Sequence, residues 1–421
     1  MNPKERMLQA LYGGRPDQVP VAPSYLQLYL ENSIGRNYLT AYRQRMGQRR
    51  QMPIDHEQDS EFRANAFYQA LGIFEEPLDW FPVLKLGPDY DWASDHFVER
   101  VGGDHYFVHR RNGRRLSFQD ALPMVCNPGL GDLAGEWVPG LDDETRDLWD
   151  LSAGIGGVAE VQEAVPICSV EEMRAAGEFE LAERQVRDYG DSRFLYAHVL
   201  TPYDGLYDLL GFAGMMLGLH DRPELLPAIM ERKLAQSVET LKGLAAAGIH
   251  GVWIIQTLAS ADLISREHFI DFALPGLQRL VDEIKALNMV TILYFCSDAI
   301  PRLDLLRGLG VDAIALEESK KNFHIDIEEV VDRVGDEVCV FGNIDAIGIM
   351  AQASPEIIER KVMRQIEAGK RARGFVLGIG SPLPRETDPR QVDLLVRAAR
   401  KHGQLHTQPA GQTSAGKERW V

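Results

Sequence analysis

Residues 251–256 read GVWIIQ, residues 290–295 read VTILYF and residues 312–317 read DAIALE. Each is a short apolar run, as expected for parallel strands that are buried on both faces. Three more runs share this character, at 194–200, 338–341 and 374–379. Helical stretches lie between the runs, at 225–247, 268–287, 300–309, 327–333 and 355–373. This alternation predicts parallel strands that are joined by right-handed helical crossovers.

Two shorter segments bring the number of candidate strands to eight. They are 80–84 and 19–23, although Pro20 and Pro23 disfavour a central position for the second. Eight βα units close into a (β/α)8 TIM barrel, which is the α/β fold that we predict. The alternative is an open doubly wound sheet. That fold usually carries a Gly-rich loop after its first strand, and the sequence has none there.

The segment at about 84–137 has a different character from the repeats. Runs of alternating polarity at 97–101 and 105–109 are separated by Gly102-Gly103-Asp104 and followed by Asn112-Gly113. This pattern predicts a β-hairpin-rich insertion. The preceding region, 31–71, shows a mostly helical pattern. We therefore expect a single barrel over 1–403, this insertion within it, and a flexible polar tail at 404–421.

Composition excludes several classes of protein. The formal net charge of −17 disfavours binding to nucleic acid, because the phosphate backbone would be repelled. No apolar run reaches transmembrane length, and the polar start does not resemble a signal peptide. The four cysteines show no paired spacing, which fits a reducing compartment. We expect a cytoplasmic protein that binds neither membrane nor nucleic acid.

Candidate site residues follow from the barrel, because catalytic side chains lie at the carboxyl ends of its strands. A carboxylate that ends a buried run must be paired, hydrated or functional, which favours function for Glu317 or Glu318. The predicted catalytic residues are Glu317, Asp345 and Tyr294. The predicted substrate-binding residues are His198, Gln256, Asn343, Glu318 and Ser381.

Structural alternatives remain for some of these residues. His198 lies in an apolar run and is equally compatible with a satisfied core histidine. Asn343 and Asp345 are compatible with a turn that leads into the next helix. The GxSxG, P-loop, HExxH and kinase motifs are absent from the sequence.

Several segments occur in a characteristic order along the chain. They are KERMLQAL at 4–11 with RPDQVPV at 15–21, TPY at 201–203 through LGF at 210–212 to RPE at 222–224, FALP at 272–275, GNID at 342–345, and GS at 380–381 through ET at 386–387. In order and spacing they resemble the uroporphyrinogen decarboxylase superfamily. That superfamily includes the decarboxylase and the cobalamin-dependent methyltransferases that share its barrel.

The resemblance favours the methyltransferase branch over the decarboxylase itself. The decarboxylase carries an arginine-rich RQAGR segment after the first strand, where this chain reads SYLQLYL at 24–30. It also carries a histidine in a GHG turn, where this chain has Ile379. A flat substrate with many carboxylates needs several cationic partners. We therefore expect no decarboxylation of uroporphyrinogen.

The methyltransferase branch holds zinc with a His-x-Cys motif at the fifth strand and a cysteine near the eighth. Here the first motif reads Tyr294-Phe295-Cys296, and Ser381 stands at the second position. Only Cys296 is retained, so we expect no zinc held in the three-residue manner of the family. In the alternative, Cys296 recruits Glu317 or His198 as further ligands.

The resemblance implies a methyltransferase that exchanges a methyl group between a small molecule and cobalamin carried by a separate corrinoid-binding protein. The sequence shows no corrinoid-carrying domain, so the partner would be another chain. A homodimer is also compatible with the sequence. The alternatives are a metal-independent decarboxylase or lyase that acts on a small acid, and a non-catalytic ligand-binding barrel. An inert scaffold would not need polar residues at its strand ends, which ranks the last alternative lowest.

Overall fold

A computed structural model of the chain describes residues 1–24, 43–54, 74, 76–83, 96–110, 113, 115–118, 157–320, 322–384 and 387–405. The strands are β1 (Gln51–Pro53), β2 (Trp80–Pro82), β3 (His96–Val101), β4 (Asp104–His109), β5 (Arg115–Ser117), β6 (Phe194–Leu200), β7 (Gly251–Gln256), β8 (Val290–Phe295), β9 (Ala313–Leu316), β10 (Cys339–Phe341) and β11 (Gly374–Val376). They form a parallel sheet of seven strands and an antiparallel sheet of four.

Helices surround the parallel sheet. They are α1 (Pro3–Leu11), α2 (Val158–Ala164), α3 (Val170–Ala175), α4 (Glu180–Tyr189), α5 (Leu206–Asp221), α6 (Leu225–Ala247), α7 (Arg266–His268), α8 (Leu274–Ala286), α9 (Leu303–Arg307), α10 (Ile327–Val334), α11 (Pro355–Gly369) and α12 (Pro389–His402). The described residues also include a helical turn at 43–46, two π-helical segments, Phe269–Ala273 and Ala346–Met350, and a 3-10 turn, Ile300–Arg302. No helix in the described ranges is both long enough and apolar enough to span a bilayer.

The parallel sheet runs in the order β11-β10-β9-β8-β7-β6-β2. Residues 20–22 lie between its two ends. The Ala22 N–H donates to the carbonyl of Leu377 at 2.8 Å, and the Asp79 N–H donates to the carbonyl of Val21 at 3.2 Å. Val21 and Leu377 form a parallel bridge. The sheet therefore curls round on itself, with the N-terminal segment at the eighth position, and the predicted barrel is confirmed.

Most predicted strands have the expected bounds, and those of β6, β7 and β8 are as predicted. The segment 19–23 is reduced to a bridge at Val21, because the prolines on either side lack the N–H that a ladder needs. The mostly helical pattern assigned to 31–71 is helical at 43–46, but it also contains strand β1, which pairs antiparallel with β3. Most of the other residues of 31–71 lie outside the described part.

The antiparallel sheet has the order β1-β3-β4-β5. The turn at Gly102-Gly103 joins β3 to β4, as the alternating runs predict, and Gly102 has a φ of 63°. This confirms the hairpins at 97–109. Residues 84–95 and 119–137 of the predicted insertion, and 406–421 of the predicted tail, lie outside the described residues.

The barrel interior is filled by aromatic side chains, here called the interior aromatic stack: Trp80, Tyr196, Trp253, Tyr294 and Phe341. The rings of Trp80 and Tyr196 stack with centroids 4.0 Å apart, and those of Trp253 and Tyr294 stack at 5.2 Å. Helix α1 packs beneath the stack through Met7, Ala10 and Leu11. The amino-terminal end of the barrel is thus closed, which leaves chemistry to the opposite end.

Candidate active site

Four polar side chains meet at the carboxyl ends of the strands. Glu317 and Glu318 follow β9 directly, and Ser381 follows β11. The hydroxyl Oγ of Ser381 lies 3.1 Å from Oε1 of Glu317 and 2.9 Å from Oε1 of Glu318. The ammonium Nζ of Lys320 lies 3.1 Å from that hydroxyl and 3.2 Å from Oε1 of Glu317, and it also contacts Glu318. We call these four residues the carboxyl cluster.

Glu318 is the most deeply buried member of the carboxyl cluster. Its side chain is 3% exposed, against 16% for Glu317. Burial raises the pKa of Glu318, and the hydrogen bonds from Lys320 and Ser381 oppose this rise only in part. Burial would lower the pKa of Lys320, but its contacts with the two glutamates raise it above the ordinary value. Lys320 is therefore charged at neutral pH.

Gly380 makes room for the Glu318 carboxyl group. A Cβ atom at position 380 would lie 2.3 Å from Oε2 of Glu318 and 2.1 Å from its backbone nitrogen. Oε2 has no hydrogen-bond partner among the described residues. The absence of a side chain at Gly380 is thus what allows the strand-end glutamate to turn inward.

A strained turn after β8 supports Glu317. Ser297 has a φ of 60°, in the left-handed region that non-glycine residues rarely occupy. This conformation aims its backbone N–H at Oε2 of Glu317, at 2.6 Å. Both oxygens of Glu317 therefore have donors. Strain of this kind persists where the surrounding structure enforces it, often at functional sites.

Tyr294 belongs to the interior aromatic stack, and Cys296 packs against it at the end of β8. The hydroxyl of Tyr294 donates to the carbonyl of Gly380 at 2.7 Å, which links β8 to the loop that carries Ser381. Burial raises the pKa of the Tyr294 phenol and of the Cys296 thiol. Both groups are therefore neutral, and Tyr294 orients the loop that carries Ser381.

Asp204 is a further strand-end carboxylate, which our sequence reasoning did not select. It follows β6 and is buried. Its oxygens accept hydrogen bonds from the Gln256 side chain at 2.5 Å, from both the N–H and the hydroxyl of Thr257, and from the N–H of Leu258. The side chains of Gln256 and Ile254 lie on the same face of β7, and Ile254 packs outside the barrel. The structure thus places Gln256 against Asp204, with its Oε1 unpartnered among the described residues.

Asn343 and Asp345 make local hydrogen bonds after β10. The Asn343 amide donates to the carbonyls of Glu317 and Ile325, and its oxygen accepts from Gln365 at 2.9 Å. Asp345 caps the π-helical segment by accepting from two backbone N–H groups. These contacts match the turn that we gave as the structural alternative. Asn343 fixes the position of the backbone that carries the carboxyl cluster.

His198 lies on the inner face of β6, next to the interior aromatic stack. Its ring meets that of Tyr196 edge-on with centroids 5.3 Å apart. Burial lowers the pKa of His198 to about 4, so the ring is neutral at physiological pH. The structure therefore places a neutral, half-buried imidazole on the barrel interior above Tyr196.

The donor set does not fit the zinc site of the family. Of the three family positions, Tyr294 and Ser381 offer neutral hydroxyls, and only Cys296 offers a thiol. Among the described residues, no three side chains of His, Cys, Asp or Glu are placed to hold a metal ion together. The alternative set of Cys296 with Glu317 or His198 is therefore not assembled there.

Lys320 and Asp204 are the residues that sequence reasoning missed. Both lie beyond the last apolar residue of their strands, in loops whose path the strand period does not give. A signal existed for Asp204, since it follows the TPY segment at 201–203 directly. For Lys320 the only signal was a lysine close to two strand-end glutamates.

Comparison with known proteins places this site in context. A family model, Uroporphyrinogen decarboxylase (URO-D), matches residues 161–402. The Methylcobamide:CoM methyltransferase MtbA of Methanosarcina mazei is 26% identical over 161 residues, which are 38% of this chain and 46% of that protein. The Uroporphyrinogen decarboxylase of Pelobacter propionicus is 26% identical over 202 residues, 48% of this chain and 56% of that protein. The chain thus spans about half the length of the curated relatives it matches.

A solved structure extends the likeness in fold. A methyltransferase from Methanosarcina mazei superposes with a TM-score of 0.62 at 17% sequence identity, covering 95% of this chain and 99% of that chain. The two proteins share the barrel architecture.

Proposed function

The chain belongs to the uroporphyrinogen decarboxylase family, and from this premise we propose that it transfers a methyl group between a small molecule and the corrinoid of a separate protein. The similarity to Methylcobamide:CoM methyltransferases supports methyl transfer as the type of reaction. The corrinoid would supply or accept the methyl group. The residues of this chain would bind the small molecule, exclude water, and donate or accept its protons.

The observation that carries the proposal is the charge at the strand ends. Two carboxylates, those of Glu317 and Glu318, meet at Ser381, and Asp204 is a further buried carboxylate at the end of β6. The ammonium of Lys320 is already in contact with two of them. A substrate with many carboxylates needs free cations, and it would be repelled here. A small, neutral or cationic methyl compound fits this charge better than a porphyrinogen.

Most of the predicted residues have a place in the proposal. Glu317 is the most exposed carboxylate of the carboxyl cluster and would act as general acid or base on the small molecule. His198 and Cys296 would form the floor of its cavity, and Tyr294 would position the loop with Ser381. Asp345 and Asn343 would hold the loop after β10.

The rim of the barrel offers a surface for a protein partner. Exposed apolar side chains follow three strand ends: Phe212 after β6, Leu263 and Ile270 after β7, and Ile347 after β10. Single exposed apolar side chains are ordinary on protein surfaces, so it is their position after the strand ends that motivates the docking surface. We propose that the corrinoid-binding protein docks over these residues, which brings its cofactor to the cavity.

The experiment is a methyl-transfer assay with free cobalamin followed by its cobalt absorbance. In one direction, methylcobalamin is mixed with folates, thiols, phenols and amines. In the other, reduced cobalamin is mixed with O-methyl, N-methyl and S-methyl compounds. We expect transfer with at least one class of compound. Glu317→Gln should lower the rate by about 10²-fold or more, because a general acid–base group contributes that much.

The matched control is Glu367→Gln, which alters a glutamate that is 73% exposed and far from the strand ends in sequence. It should leave the rate unchanged. No transfer with any compound in either direction would refute the proposal. Turnover of uroporphyrinogen at an ordinary enzymatic rate would refute it equally.

A further inference from the structure

When both glutamates are ionised, the carboxyl cluster has too few hydrogen atoms to place one in each of its close polar contacts. The ammonium of Lys320 has a hydrogen for each of its three oxygen neighbours. The hydroxyl of Ser381 has a single hydrogen, but carboxylate oxygens lie 3.1 Å and 2.9 Å from it. One of these two close oxygen–oxygen contacts then has no hydrogen. One additional proton on a carboxyl group makes both contacts into hydrogen bonds.

The surroundings indicate which glutamate holds that proton. Oε2 of Glu317 accepts from the Ser297 N–H at 2.6 Å, and its side chain is 16% exposed, so its charge is compensated. Oε2 of Glu318 has no partner among the described residues, and its side chain is 3% exposed. Lys320 contacts Oε1 of an ionised Glu318, but Oε2 would be a buried carboxylate oxygen without a donor, which is costly and favours the protonated form. Burial also raises the pKa of Glu318, which agrees with the geometric argument.

We propose that Glu318, Ser381 and Glu317 form a proton relay, in which Glu318 stores the proton and Glu317 delivers it to the oxygen that leaves an O-methyl compound. This inference rests on the proposed methyl transfer and names its substrate class. In the step, the bond between the methyl carbon and its oxygen breaks, and its electron pair stays on the oxygen. The proton goes to that oxygen. The reduced corrinoid of the partner, as acceptor, supplies the electron pair of the new bond to the methyl carbon.

The relay selects oxygen because of leaving-group chemistry. A phenol has a pKa of about 10 and an alcohol a higher one, so either leaves poorly as an anion and gains most from a proton. A thiol, at about 8.5, needs the proton less. A quaternary ammonium compound leaves as a neutral amine, and it needs none. A stored proton at the site is therefore useful chiefly for O-methyl compounds.

Other titratable groups near Glu318 are compatible with the relay. Tyr294 and Cys296 come from β8 and its end, and burial keeps both neutral. Lys320 is the cation that faces the carboxyl group, and it stays charged. When the proton has left, the ammonium stabilises the carboxylate of Glu318 until it is protonated again.

The test measures the proton directly. Infrared spectra of protein labelled with ¹³C-glutamate separate protonated from ionised carboxyl groups at neutral pH. We expect one protonated glutamic acid in the wild type and in Glu367→Gln, and none in Glu318→Gln. Ser381→Ala, which removes the bridging hydroxyl, should alter the frequency of that band. Absence of the band from the wild type, or its persistence in Glu318→Gln, would overturn the relay.

A kinetic measurement links the relay to the substrate class. With free reduced cobalamin and a series of aryl methyl ethers, Glu318→Gln should lower kcat by roughly 10²-fold to 10⁴-fold. The loss should grow as the leaving phenol becomes less acidic. Equal loss across the series would overturn the relay even with the band present. The band without any methyl transfer would refute the proposed function and the substrate class of the relay, leaving only the stored proton of Glu318. Transfer without the band would refute the relay alone.

Discussion

Asp79 is completely buried at the closed end of the barrel, where it joins separate parts of the chain. Its carboxylate accepts from Arg6 of α1 at 2.6 Å, from the backbone N–H of Val21 at 2.8 Å and from Arg400 of α12 at 3.2 Å. Asp79 itself immediately precedes β2. The first helix, the eighth strand position and the last helix are therefore held by one side chain.

We predict that Asp79→Asn lowers the free energy of unfolding by about 3 kcal/mol. The amide keeps the shape and one oxygen for the Val21 N–H, so the substitution removes mainly the charge. Breaking a buried ion pair from one side costs about 3–5 kcal/mol, because the remaining charge is left without its partner. Arg6 keeps its bond to Asp17 at 2.8 Å, which places the expected loss at the lower end.

Urea unfolding followed by far-ultraviolet circular dichroism measures this loss, with the denaturant slope m as the check that the unfolded state is unchanged. The control is Asp336→Asn, which removes an exposed partner of Arg307 and should cost less than about 1 kcal/mol. Methyl transfer by folded Asp79→Asn should match the wild type, because the site lies at the other end of the barrel. A loss below about 1 kcal/mol at unchanged m would refute the reasoning.

Three further predictions concern the site and its surroundings. Gly380→Ala should cost about 1–3 kcal/mol and impair methyl transfer, because its Cβ would overlap Glu318; Gly103→Ala, with open space around it, should change neither quantity in the same denaturation and transfer assays. Burial lowers the pKa of His250 from 6.5 to about 4, so the unfolded state binds more protons in that interval and stability should fall as the pH drops through it. His250→Asn, which can still accept the backbone hydrogen bond, should flatten that fall by up to about 1.4 kcal/mol per pH unit, and an unchanged pH profile of unfolding would count against this. Protein purified without chelators should contain no stoichiometric zinc by elemental analysis, and zinc that disappears in Cys296→Ala would show that the site was misread.

The strands that were easiest to predict are those buried on both faces. In β6, β7 and β8 the helical layer outside and the aromatic interior both demand apolar residues, so the runs are unbroken. Strand β1 was harder to predict, because three residues with an exposed, buried, exposed pattern carry little signal. Its partner β3 lies far along the chain, and pairing of this kind is not encoded locally.

The candidate site was predictable in position rather than in detail. Because parallel strands end at one face, the rule of strand ends is enough to bring Glu317, Glu318 and Ser381 together. It could not show that Lys320 turns back onto them, because loop paths follow no period. It also could not separate Asp345, which caps a helical segment, from a carboxylate that faces a ligand. Helix capping and ligand binding both use an aspartate at the same distance from the end of a strand.

The interior aromatic stack and helix α1 bear on the order of events in catalysis. Because one end of the barrel is closed, the small methyl compound and the corrinoid-binding protein of the proposed reaction would both reach the site through the one open end. The docked corrinoid-binding protein would cover that open end. In the proposed reaction the small molecule would therefore enter first, and its demethylated product would leave last. The signature is a compulsory-order mechanism, visible by isotope trapping: labelled methyl compound already bound is converted when the partner arrives, before excess unlabelled compound can replace it.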